Sequence, residues 1–238
     1  MKSNRISLLL LAGAIALQCM CMRTGSVFDY ELPFFSGLLS ADSLSGNMLL
    51  TLYSIIPIPF LLLFFSGDME DVTKGYGKLL LVRSYGKGRL MVRLIIRALL
   101  HVTAVSLVMT AVFTLIRIEG WKPLSLEQAA QGLAMYILTM TAMVLLQYLL
   151  ELYIEVQYAN LAVIIGSVTA LLISGSIGAE YEKFNLFLFP NLAFAQKNGI
   201  LTEGGDTKFH LIALCWILLV NVFLGVVCLK KLKKKDIF

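Results

Sequence analysis

The stretch Phe209–Leu229, FHLIALCWILLVNVFLGVVCL, contains no Asp, Glu, Lys or Arg and is followed at once by Lys230-Lys231-Leu232-Lys233-Lys234-Lys235. About 20 such residues, wound as a helix, cross roughly 30 Å of hydrocarbon, and an apolar run that stops at a basic cluster is the pattern of a span whose end meets lipid headgroups. Five further charge-free runs precede it: Ile6–Met22, Ser43–Gly67, Ala98–Ile116, Gln128–Leu150 and Val156–Ala179. A chain in lipid must satisfy its own backbone hydrogen bonds. No alternating strand pattern is present, so helices are the expected form. The reading is an all-α polytopic membrane protein with spans at about 6–22, 47–66, 95–117, 127–150, 157–178 and 209–229.

Composition agrees. Hydrophobic residues make up 58% of the chain and its mean hydropathy is +0.83, against about 45–50% apolar residues in soluble domains. The gaps between runs are too short to bury a core of their own, so residues 1–238 read as one membrane domain. Of the 20 Lys and Arg residues, fourteen fall in the gaps that six spans place on the same side as both termini. Basic excess marks the cytoplasmic face, so both termini are expected inside, in a bacterial plasma membrane. The net charge of +5 then reports topology and contact with anionic headgroups, with no call for nucleic acid.

Lys2 and Arg5 followed by an apolar run and Cys19 resemble a lipoprotein signal, but Ala16-Leu17-Gln18 before the cysteine does not make a small-residue cleavage site and the run continues to Met22. The first run is therefore expected to remain as a span. Cys19, Cys21, Cys215 and Cys228 have neither metal spacing nor a secreted framework.

The gap between the second and third spans carries the most specific pattern. Asp68, Glu70 and Asp71 near its start and Arg83 near its end suit the macrodipole of a short helix over about Met69–Val82. Val72, Tyr76, Leu79 and Leu80 share one face of that helix, which would lie along the inner surface. Ser84–Gly88 reads as a turn, and the next helix is expected near Arg89.

At these residues the chain resembles the permease subunits of the type-2 exporter class of ABC transporters. That class has, between spans two and three, an acid, a glycine, a Leu-Leu pair, a base, a turn and further bases; Asp71, Gly75, Leu79, Leu80, Arg83, Lys87, Arg89 and Arg93 follow that order. Arg83-Ser84 stands where the class often has Arg-Pro or Ser-Pro, and the basic tail ending in Asp236-Ile237-Phe238 also fits the class. The resemblance implies that segment 68–93 couples to a separate cytoplasmic ATPase, and that a second permease, identical or related, completes the translocation path. ATP and Mg would reside on the ATPase, with no cofactor on this chain. It further implies export, with an amphipathic peptide such as a bacteriocin or lantibiotic among the candidate substrates. Gly86-Lys87-Gly88-Arg89 lacks the spacing of a phosphate-wrapping loop.

Four further features carry expectations. Pro57 and Pro59 within the second run predict a kink or break, at a gate or as fixed shape. His101, four residues after Arg97 at the inner start of span three, is a candidate pathway residue or a hydrogen-bonded core histidine. Glu151 and Glu155, at the unfavourable end of span four, call for a basic partner, Arg89 or Arg93 of this chain or one on the ATPase. Gly166, Ser167, Ser174 and Gly175 in span five permit close helix packing. The apolar stretch Phe184–Phe194 is too short to span, and a shallow re-entrant or interfacial hairpin broken at Pro190 fits it, with the short re-entrant or interfacial helices before span six that the resemblance to the permeases implies.

Two other classes stand against the permease reading. A rhomboid-type intramembrane protease would need a Gly-x-Ser-Gly turn, whereas Ile173-Ser174-Gly175 lacks the first glycine and His210 lies at the outer edge of span six. A non-transporting membrane scaffold or sensor would need nothing beyond the spans themselves.

Overall fold

The computed structural model describes residues 9–14, 16–17, 35, 55–73, 86–116, 125–176, 183–184, 186–195, 197–200 and 207–234. Among them there are helices and turns and no strand. The elements are α1 (Pro57–Phe65), α2 (Asp68–Thr73), α3 (Lys87–Ile116), α4 (Leu126–Glu151), α5 (Val156–Ser176), a 3-10 helix at Phe189–Ala193, and α6 (Thr207–Lys234). Four of these, α3 to α6, are long and apolar enough to cross a membrane. Of the two earlier spans, residues 9–14 and 16–17 are helical and α1 covers part of 47–66; the rest lies outside the described residues.

The ends of the long helices follow local chemistry. Ser125 opens α4 with a capping box: its Oγ accepts from Gln128 N at 3.1 Å, and Gln128 Oε1 accepts from Ser125 N at 3.0 Å. Lys231, Lys233 and Lys234 occupy the last turn of α6, the favourable end for cations. Lys87 Nζ donates to the Lys233 carbonyl oxygen at 3.2 Å, so a base from α3 also serves the C-terminus of α6.

One boundary, the start of α3, differs from the sequence reading. Lys87 and Gly88, expected in a turn, begin α3, so Lys87, Arg89 and Arg93 stand on the first turns of the span's own helix. The cause is tertiary: a Cβ built on Gly88 lies 3.8 Å from both Leu229 and Lys233 of α6, so this extension packs against a neighbour. Pro57 is the first residue of α1, where its missing N–H forfeits no helical bond and its fixed φ suits entry. Ile55 is helical, Ile56 is a turn and α1 starts at Pro57, so the run is interrupted at the first proline, the break that the sequence predicts.

α4 is the axis of the fold. It touches every other named element, and 61% of its apolar window is buried, against 28% for each of the other three long helices. Lipid tails are as apolar as Leu, so association here rests on close packing and on hydrogen bonds between helices. Asn221 Nδ2 of α6 donates to Leu138 O at 3.0 Å, and Cys228 Sγ to Leu145 O at 3.5 Å. Both numbers rise together, so α4 and α6 run parallel. Ser167 Oγ of α5 reaches Met143 Sδ at 3.1 Å, and the tight turn at 152–155 makes α4 and α5 an antiparallel pair.

At the start of α4 sits the stretch expected as an interfacial hairpin. Its short helix is the 3-10 helix Phe189–Ala193, with Pro190 in the first turn, and Pro190–Ala193 are buried against α4 and α5. Asn191 Nδ2 donates to Ala170 O at 3.0 Å, tying the segment to α5, and Asn198 Nδ2 donates to Leu192 O at 3.1 Å, closing the segment on itself. Phe184 and Phe187 are exposed while Phe194 is buried, so the aromatics divide between lipid-facing and core roles.

Candidate functional site

The opposite end of the bundle collects the charges. α6 ends there with its lysines, α3 begins there with Lys87, Arg89 and Arg93, and the turn at 152–155 follows α4. Lys231 Nζ sits 4.0 Å from the centroid of the Tyr153 ring, tying the α6 terminus to that turn. Lys183, Lys197 and Lys208 belong to the far end.

Within this end, a polar cluster holds α2 to α3 and α4. Gly67, at φ +88°, turns the chain out of α1 and into α2; the left-handed conformation there favours glycine. The first amides of α2 point at Glu151: Gly67 N donates to Oε1 and Met69 N to Oε2, each at 3.2 Å. Gln147 Nε2, one turn back on α4, donates to Oε1 at 3.0 Å. Asp68 accepts from the Tyr148 hydroxyl at 2.8 Å and pairs with Arg97 Nη1 at 3.5 Å. His101 packs over Phe64 and Phe65, centroids 5.5 and 6.2 Å away, and its Nδ1 lies 2.8 Å from the Arg97 carbonyl oxygen of its own helix.

Glu151 therefore has a different partner from the arginine that the sequence called for. Its carboxylate is misplaced at the C-terminus of α4 but well placed at the N-terminus of α2, whose unpaired amides and positive dipole end it satisfies. Glu155 does not share its face: the helix ends at Glu151, and Glu155 precedes α5, accepting from Gln157 Nε2 at 3.3 Å. Arg93 stays on the exposed side of α3. Arg97, at the inner start of span three, pairs with Asp68.

Of the predicted coupling residues, Asp71 and Val72 lie on α2, with Val72 buried and Asp71 exposed. Lys87 and Arg89 lie at the start of α3, and Gly75, Tyr76, Leu79, Leu80 and Arg83 lie outside the described residues. The sequence reading missed Asp68, Gln147 and Tyr148 as partners. A signal for two of them was present: Gln147 and Glu151 are an i, i+4 polar pair in an otherwise apolar helix.

Burial holds the Asp68 carboxyl above the usual range of 3.8, against the opposing pull of Arg97 and of the Tyr148 hydrogen bond; Asp71 adds to the rise and His101 opposes it. A raised folded-state value means that the folded protein binds the proton more tightly than the unfolded chain. The stability contribution of this group therefore grows as pH falls through the folded value and is lost as pH rises past it. Asp68→Asn is expected to flatten that part of the stability profile just above pH 3.8, and Tyr148→Phe to lower stability by about 1.5 kcal/mol. Thermal unfolding of the purified protein between pH 4 and 7 checks both.

No group of three or more His, Cys, Asp or Glu among the described residues is arranged to hold a metal. What the cluster does is mechanical: it fastens a short helix at the membrane surface to two spans. Four long apolar helices, with their charges gathered at one end, define a multi-pass membrane protein. The chain belongs to the family described as Protein of unknown function (DUF2705), whose model matches residues 10–238. No curated protein and no solved structure matches it.

Proposed function

We propose that this chain is the membrane-spanning permease subunit of an ATP-driven exporter, with six spans, both termini in the cytoplasm, and α2 passing the motion of a separate ATPase to the membrane helices. The observation that carries the reading is the double attachment of α2. Asp68 binds Arg97 of α3 and Tyr148 of α4, and Glu151 of α4 binds the first amides of α2. A surface helix tied in this way to two spans transmits a displacement to both as a rigid body; one hanging from a flexible loop would not.

The gathering of bases at the α2 end supports the cytoplasmic assignment of that end. The order of Asp71, Gly75, Leu79, Leu80 and Arg83 supports an ATPase as the partner. A second permease, identical or related, would complete the path, in the plasma membrane of a bacterium.

Affinity purification of the full chain from its native cells in mild detergent tests this directly. A stoichiometric ATPase with nucleotide hydrolysis is expected to co-purify. The double substitution Leu79→Asp, Leu80→Asp is expected to lose it while the chain stays in the membrane fraction. Recovery of the wild-type chain without an ATPase, or unchanged recovery of the ATPase with the double variant, counts against the proposal.

A further inference from the structure

A groove of about 1180 Å³ opens at the basic end, between α1 and α2 on one side and the 152–155 turn and first turns of α5 on the other. Its chemistry changes along its length. Glu155 lies at the surface end, and Leu63 and Leu161 line it deeper, both exposed in the isolated chain. Between them Asn160 is 5% exposed, yet its Nδ2 has no hydrogen-bond partner. Buried amides seldom go unpaired, so the position calls for an acceptor. Tyr153 also lines the groove, and Lys231 rests on its ring. The groove thus offers carboxylates, Glu155 together with Glu70 and the already engaged Glu151, a lone donor and an apolar wall, with Lys231 held against the ring of the lining Tyr153.

We propose that this groove binds a phospholipid with a primary-amine headgroup: the ammonium on Glu155, the phosphate toward Lys231, an ester carbonyl accepting from Asn160, and an acyl chain along Leu63 and Leu161. Asn160 lies five residues beyond Glu155, about 7 Å along the axis of α5, a separation that a phosphoethanolamine linker covers. A quaternary headgroup has no N–H to donate to a carboxylate. An anionic headgroup has no ammonium and sets its charge beside Glu155. The groove shares α2 and Glu151 with the proposed coupling element, but lipid retention by the purified chain is read without the ATPase, so failure of one reading is distinguishable from failure of the other.

Native mass spectrometry of the full chain in mild detergent, incubated with equimolar phosphatidylethanolamine, phosphatidylcholine and phosphatidylglycerol, tests the site. Phosphatidylethanolamine is expected to be retained about tenfold over the others, the preference a single charge-assisted contact supplies. Glu155→Gln is expected to bring it to the phosphatidylcholine level and Asn160→Leu to lower retention of all three lipids alike, while Glu127→Gln at the far end leaves it unchanged. Equal retention of the three lipids, or a preference that survives both variants, overturns the proposal. So does displacement of the bound lipid by a stoichiometric amount of a Lys-rich amphipathic peptide. Should either variant fail to fold, the mono-, di- and trimethylated forms of the same lipid decide on the wild-type chain. Retention that falls with each lost N–H upholds the site, and a flat series removes it.

Discussion

Glu151→Ala is expected to lower the unfolding free energy by about 3 kcal/mol, from three lost hydrogen bonds at about 1 kcal/mol each. The carboxylate is 8% exposed and accepts from Gly67 N, Met69 N and Gln147 Nε2. Alanine would leave all three donors facing a cavity from which water is largely excluded, so the loss exceeds what the contacts contribute while made. Glu151→Gln keeps one carbonyl oxygen but turns an amide N–H toward a backbone N–H, and about half the effect is expected. Glu155→Ala, at an exposed carboxylate four residues on, is expected to fall within about 0.5 kcal/mol of wild type. Denaturation of the three purified variants in one detergent checks the order. If Glu151→Ala matches Glu155→Ala, the amides of α2 have another acceptor and the attachment described above is wrong.

Gly132→Ala is expected to destabilise by about 1–3 kcal/mol, the usual penalty for forcing an extra carbon into a packed interior. A Cβ at Gly132 would lie 2.4 Å from Phe35 Cε2 and 2.8 Å from Cδ2. The ring cannot simply swing aside, because Phe35 is fully buried and its carbonyl oxygen accepts from Ala195 N at 2.8 Å. Displacing Phe35 therefore pulls on the segment that packs over the start of α4. Adding Phe35→Leu to Gly132→Ala is expected to restore part of the loss by making room. The double-mutant cycle checks this, since the two substitutions couple only if the side chain and the missing Cβ meet. Additive losses would place the ring elsewhere.

Much of the fold was legible because a membrane span is a length and a composition. The third to sixth runs match α3, α4, α5 and α6, with ends shifted mainly where a neighbour extends the helix, as α6 does for Lys87 and Gly88. The centrality of α4 was not legible. In lipid both buried and outward positions are apolar, so the periodicity that marks the inner face of a soluble helix is weak. The site was half legible for a related reason. Glu151 could be seen to need a partner, but a backbone amide has no letter in the sequence, and the two amides that satisfy it come from Gly67 and Met69. Asp68 was read for its effect on its own helix, whereas its contacts with Arg97 and Tyr148 are tertiary. The burial of Pro190–Ala193 was not legible, because an apolar stretch reads alike whether it lies at an interface or packs against neighbouring helices.

The two bonds from α6 to α4 have matching intervals: Asn221 to Cys228 on one helix and Leu138 to Leu145 on the other are each seven residues apart. Two teeth in step make a gear. Any slide or roll of α6 along α4 disengages both at once, and they cannot re-engage at an intermediate position, so this pair can travel only as one piece. In a transporter of the proposed kind, the moving boundaries would then fall elsewhere, along the faces of α4 that meet α3 and α5.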